Sequence, residues 1–283
     1  MTTQTTETIT TITLLSSVTY FSLRYILSSL IGYPGTLSKI SDKKIRKTKR
    51  QHLISYIIET IFFTTILILA YYTHIHHGSA SIRPNVYPEI VFVSIGISYF
   101  TADLIACLYL NCMDLSMALH HIICVVGGFY VLYTGSLGSY MTKLGIIALP
   151  SDFASMTRRI TELLSDNKWL NLTLKVCYSS FFIYLRTFSL YYFVLDVCVN
   201  EFALGFKLLV GSLYHLCLYW SFAHFGSLLK TLKDSTEVVF LKDFYRVFGI
   251  IRRKVVFKGV LHSSFLATAL MTTFKTWNHT GVF

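Results

Sequence analysis

Charge is what this chain has least of. Of its 283 residues only 14% are Asp, Glu, Lys or Arg, against about 25% in an ordinary soluble domain. That scarcity excludes a soluble enzyme and a disordered tail. The six cysteines (Cys107, Cys112, Cys124, Cys177, Cys198 and Cys217) include no CxxC pair, so neither a zinc site nor a disulfide framework is indicated. They read as small buried hydrophobes. Of the four prolines only Pro150 lies deep in a hydrophobic segment. The Gly/Pro-broken helix pairs of transporters are therefore missing, as is any inverted repeat. No filter-like segment supports an ion channel. The opening MTTQTTETITTITLL lacks a basic stretch, so neither a signal peptide nor a typical transit peptide is expected.

What fills the chain instead is apolar mass: 53% hydrophobic and 16% aromatic residues, with a mean hydropathy of +0.56. It comes in blocks of twenty or more residues, and a bilayer-spanning helix needs ~20. The expectation is an all-α polytopic membrane protein with seven spans, at about 10–32, 53–73, 89–110, 115–134, 138–156, 172–195 and 203–229. Tyr33-Pro34-Gly35, His77-Gly78-Ser79, Asn111 to Asp114 and Thr134-Gly135-Ser136 mark the short connections.

Net charge is +11 and the isoelectric point about 9.3. In a soluble chain this would raise nucleic acid; here the placement of cations is read as topology, and no nucleic-acid partner is expected. Lys39, Lys43, Lys44, Arg46, Lys47, Lys49 and Arg50 lie between spans one and two. Arg158, Arg159 and Lys168 lie between five and six, and nine more cations follow span seven. With seven spans all three groups share one side, and Arg83 stands alone on the other. The N-terminus then faces out and the C-terminus faces the cytosol or the matrix. Lys43, Lys44 and Arg46 of the basic connector are candidate headgroup-binding residues.

The chain divides into an N-terminal tail with the first helix (1–36), the connector (37–52), a six-helix membrane domain (53–229) and a basic extension (230–283). From Ser235-Thr236-Glu237 onward the apolar residues Phe240, Leu241, Phe244, Val247, Phe248 and Ile251 recur at helical spacing, opposite a basic face. Such a tail lies on a membrane surface or docks on a partner subunit.

Ionisable groups inside spans are costly and mark candidate sites. The best constellation is Asp103 with His120 and His121. Asp103 stands nine residues before the turn near Cys112 and His121 nine after it, with Asp114 placed to cap the following helix. At 1.5 Å per residue both lie ~13 Å deep on adjacent antiparallel helices. Consecutive histidines point about 100° apart, so at most one of them easily faces Asp103. The pair reads either as a general acid/base or acyl-accepting centre or as a polar clamp between helices. Arg158, Arg186 and His215 are candidate lipid- or cavity-lining residues, with His224 nearby in the last span. His74, His76 and His77 have no local carboxylate or cysteine to complete a metal site, and none is expected. The acceptor patterns at Asn171 and Asn278 fall on the basic side and are expected to stay unmodified.

The segment Gly96 to Asp103, followed by Met117-Ala-Leu-His120-His121, resembles the TLC-domain family, which includes ceramide synthases, TRAM proteins and small TLC-domain proteins. The resemblance runs weakly from about Lys43 to Leu229. It implies a six-helix barrel around a lipid-sized cavity, preceded by one extra helix, with an acyl-transfer role for the double histidine carried over only to His120 and His121. The chain departs from the family pattern where a histidine, an acidic residue and an asparagine give way to Ile58, Leu149 and Met156, while Ser151, Phe153 and Arg158 are kept. The HDxxD run of ceramide synthases is absent. A catalytic site works as a unit, so this erosion favours a fold kept without its chemistry.

The reading that follows is a structural or accessory subunit of a larger membrane complex, holding phospholipid or another lipid and no other cofactor. Its membrane is the mitochondrial inner membrane or the endoplasmic reticulum. The alternatives are a lipid-handling or lipid-sensing protein of the endoplasmic reticulum, and a lipid acyltransferase using His120 or His121.

Overall fold

The computed structural model describes residues 3–78, 81–110 and 115–235. The proposed tail helix beyond Ser235, the turn at Cys112 and the capping Asp114 lie outside these residues. Among the described residues every regular element is helical: α1 (Thr3–Leu30), a 3-10 turn (Gly35–Lys39), α2 (Lys43–His77), α3 (Tyr87–Tyr109), α4 (Leu115–Thr134), α5 (Gly138–Leu164), α6 (Lys168–Ile183), a π-turn (Tyr184–Ser189), α7 (Leu190–Val199) and α8 (Leu204–Ser235). Four of these stretches are long and apolar enough to cross a membrane: Lys43–His77, Tyr87–Tyr109, Leu115–Thr134 and the continuous run Lys168–Val199. The described residues are therefore all-α with several potential spans. The other three expected segments coincide with α1, α5 and α8, which are helical but more polar.

The chain forms two compact units, 1–174 and 175–283. In the first, α2 packs most extensively on α5, while α3 lies against α1, α2, α4 and α5. Its connections gather in two sets. At one end Lys39 pairs with Asp166, and the 3-10 turn packs on α5, with Gly35 so close to the Leu164 carbonyl that any side chain there would collide. The Asp42 carboxylate accepts from the Lys44 and Ile45 amides and starts α2. The helix thus begins inside the basic connector. Arg50 donates to the Ile31 and Ser28 carbonyls, placing a cation on the negative end of α1. At the other end the Asn85 amide donates to the Gly135 carbonyl at 2.7 Å, and its side chain bonds Val131 and Gly138. There Glu89, fully buried, pairs with Arg83 at 2.7 Å and accepts from the Val86 amide. The one cation expected on that side is thus neutralised by its own helix start.

In the second unit the π-turn interrupts the helix that runs from α6 into α7, and both it and α7 pack on α8. A π-turn displaces backbone hydrogen bonds; here the Tyr214 hydroxyl donates to the Thr187 carbonyl and Thr187 Oγ1 to Ser221 Oγ.

The α3–α4 pair owes its closeness to Gly128. A Cβ there would stand 2.5 Å from Ile97 Cγ1, whereas one at the neighbouring Gly127 would meet nothing within 4 Å. Gly127→Ala should therefore raise stability by ~0.5–1 kcal/mol through helix propensity. Gly128→Ala should fail to gain, or lose about 1 kcal/mol or more by overpacking. Thermal unfolding of the two variants in detergent separates these outcomes.

Candidate functional site

Tyr99, Asp103 and Cys107 follow one another at four-residue intervals and share a face of α3. Tyr20 and Arg24 do the same on α1. The packing of α1 and α4 on α3 brings these faces together. Asp103, only 7% exposed, accepts from Tyr20 Oη at 2.6 Å on Oδ1 and faces His121 Nε2 at 3.1 Å on Oδ2. The Cys107 thiol, one turn on, points at both carboxylate oxygens at 3.6 and 3.7 Å. Arg24 Nη1 then donates to Tyr20 Oη at 3.0 Å and to Ser55 Oγ of α2 at 3.1 Å. One buried chain of polar contacts therefore joins four helices: Ser55 of α2, Arg24 and Tyr20 of α1, Asp103 of α3, His121 of α4.

Proton counting constrains the centre of this chain. His121 Nδ1 lies 2.8 Å from the Met117 carbonyl, which can only accept, so Nδ1 carries a hydrogen. A single proton then lies between Nε2 and Oδ2. Whichever atom holds it, the Asp103–His121 pair carries no net charge, which is how a carboxyl avoids the cost of standing alone in an apolar interior. Each oxygen of Asp103 already has a partner within the chain, and His121 is 2% exposed. A general base must reach a substrate proton directly or through one water, and here the ring is turned to Asp103 and to its own backbone.

Of the two histidines it is His121 that faces Asp103. His120 turns to Cys124, 3.7 Å from its ring nitrogens, and to the edge of Phe100 with centroids 5.5 Å apart. The remaining sequence candidates are dispersed. Arg158 pairs with Glu162 one turn further along α5. In the second unit Arg186, 2% exposed, lies in the π-turn over the Phe182 ring and donates to Cys217 Sγ at 3.4 Å. His215 Nδ1 meets the Gly211 carbonyl at 2.6 Å, and His224 Nε2 meets Tyr178 Oη at 2.9 Å. Lys43 and Lys44 are exposed at the start of α2, and Arg46 stacks over Tyr33 with its guanidinium 5.0 Å from the ring centre. His74, His76 and His77 end α2 on its exposed side. Among the described residues no group of three or more His, Cys, Asp or Glu side chains is placed to hold a metal ion.

Neither Tyr20 nor Ser55 was read as a site residue from the sequence. The spacing of Tyr20 one turn before an in-span arginine is the only local signal, and it names no partner. No family model, curated protein or solved structure matches the chain.

Removing one partner of a buried charge pair strands the other, at about 3–5 kcal/mol, while losing one hydrogen bond to a charged group costs about 1.5–3 kcal/mol. His121→Ala should therefore destabilise the protein more than Tyr20→Phe does. His120→Ala, which spares Asp103, should cost less than His121→Ala. Unfolding midpoints of the three variants in one detergent give the order, and equal losses at His120 and His121 would contradict it.

Proposed function

We propose that this chain is a non-catalytic, seven-span membrane protein with a TLC-like fold, serving as a structural or accessory subunit of a larger membrane complex and holding lipid. The observation that carries the non-catalytic part is the closure of the Asp103 network. The carboxyl and imidazole that would do acyl transfer are engaged by each other, by Tyr20 and Cys107 and by the Met117 carbonyl, and they tie helices together instead.

The seven-span arrangement draws support from the connections of the first unit. The 31–42 and 165–167 connections meet through Lys39 and Asp166, so the basic connector and the Arg158/Arg159 cluster occupy one end. The 78–86 and 135–138 connections meet at the opposite end through Asn85. With α1 through α5 alternating in this way, the cations of both connections fall on one side of a bilayer and the N-terminus on the other. The subunit role rests on the basic, amphipathic pattern of the 230–283 sequence, which suits docking on a partner or on anionic lipid.

Two measurements test this reading. A native gel of mildly solubilised membranes, with mass spectrometry of the band holding this chain, should find it in a large assembly at fixed stoichiometry. Migration alone would overturn the subunit role. Purified protein supplied with acyl-CoA and amine acceptors should show no turnover that His121→Ala or Asp103→Asn abolishes; loss of a real activity in those variants would establish the acyltransferase reading. Glycosylation at Asn171 would reverse the topology.

A further inference from the structure

In the second unit the run from Lys168 to Val199 turns one side to α8, and its other side is not the plain hydrocarbon surface that a bilayer favours. Ser180, Tyr184, Phe188 and Tyr192 follow one another at four-residue intervals and are all exposed, with Phe181 beside them. Tyr184 is 61% exposed. Among the described residues neither its hydroxyl nor that of Ser180 has a hydrogen-bond partner. The other spans differ. The exposed residues in the middle of α4 are Ile122, Val126 and Phe129. On α2 the exposed Thr64 and Thr65 hydroxyls donate to the Thr60 and Ile61 carbonyls of their own helix, so they offer lipid no bare donor. Of the four stretches able to cross a membrane, Lys168–Val199 is the least apolar.

Depth makes the two hydroxyls informative. Tyr184 stands sixteen residues from Lys168 and fifteen from Val199, about 23 Å from either end at 1.5 Å per residue. With a hydrocarbon core about 30 Å thick, its hydroxyl and that of Ser180 one turn away lie near the midplane. Tyrosine favours the membrane–water interfaces, where its hydroxyl is wet. At the midplane acyl chains offer no acceptor, and an unbonded hydroxyl there is costly. Lipid is therefore a poor neighbour for this face. The opposite side of the same turn is fixed: Tyr214 donates to the Thr187 carbonyl, Thr187 to Ser221 and Arg186 to Cys217. Tyr184 and Phe188, on the outer side of the π-turn, are thus presented on a support that is already ordered.

We propose that this face docks a transmembrane helix of a different subunit, one that presents small residues and a hydrogen-bonding side chain such as Asn, Gln, Ser or Thr at the level of Tyr184 and Ser180. Electrostatic complementarity sets the polar part, because two bare O–H donors in hydrocarbon call for acceptors, and such side chains join helices within membranes. Shape sets the rest. Helices in a bilayer approach closely where one of them carries small residues. A face built from Phe181, Tyr184, Phe188 and Tyr192 fits a partner of that kind, whereas a second copy would set large rings against large rings. This inference deepens the subunit role proposed above and rests on it and on the span.

The test uses the tagged full chain in its native membranes. A benzophenone amino acid in place of Phe188 is photo-activated, and the cross-linked peptides are sequenced. They should come from within an apolar span of one other protein, at a face of small and polar residues, and that protein should be the one held at fixed stoichiometry on the native gel. The double variant Tyr184→Phe, Ser180→Ala should weaken its retention about three- to tenfold in a detergent titration, the worth of such bonds within membranes. Thr64→Val with Thr65→Val should leave retention unchanged. The purified Tyr184→Phe, Ser180→Ala chain should unfold at a midpoint no lower than the parent; a lower one would assign the hydroxyls to the chain's own fold and overturn the inference. Cross-links confined to lipid, to a second copy or to the chain itself would also overturn it. A parent chain that migrates alone overturns the subunit role and this inference with it, whereas an assembled parent whose double variant is retained equally overturns this inference alone.

Discussion

An ionisable carboxyl in an apolar helix bundle must be neutralised where it stands, and the first unit is organised around meeting that demand at Asp103. The imidazole of His121 shares its proton, Tyr20 occupies its other oxygen, and Arg24 holds Tyr20 in place while reaching across to Ser55. Each link comes from a different helix or a different turn, so the order of α1, α2, α3 and α4 around the site follows from the hydrogen-bond chain. Ser98 adds a second tie between α3 and α1 through Ser17 and the Thr13 carbonyl. The N-terminal helix is therefore built into the bundle, even though its own hydropathy is modest.

Which parts of this were readable in advance depends on how local their causes are. The helices and their connections follow from apolar runs and from turn residues such as Pro34-Gly35 and Gly135-Ser136. The meeting of Asp103 with His121 was also legible, because a hairpin with equal arms puts the two residues at equal depth. Tyr20, Arg24 and Ser55 were not assigned to the network, since their encounter depends on how α1 docks, and no spacing within α1 encodes that. Arg186 was recognisable as an in-span cation, but the π-turn that carries it was not. A π-turn is set by packing against α8, where Tyr214 and Ser221 serve the groups around Thr187.

The same charges serve two purposes at the basic end. Arg50 closes the last turn of α1, Lys39 joins two connections, and Arg159 stands against Tyr56. The cations counted as orientation signals are thus also structural. At the opposite end Arg83 is absorbed by Glu89, leaving little positive charge to compete.

The winding at Tyr184–Ser189 carries a different kind of information. A π-turn fits one more residue into the helix than regular winding would, and each residue of an α-helix advances about 100° around the axis. The helix that leaves the turn as α7 is therefore rotated relative to the one that arrived as α6, with no bend or loop to announce it. Length has been converted into rotation. Removing one residue here would let the helix close into regular α form, but it would turn either Arg186 or the whole of α7 to a new heading. A chain one residue shorter in this segment would keep an unbroken helix while presenting a different face to α8.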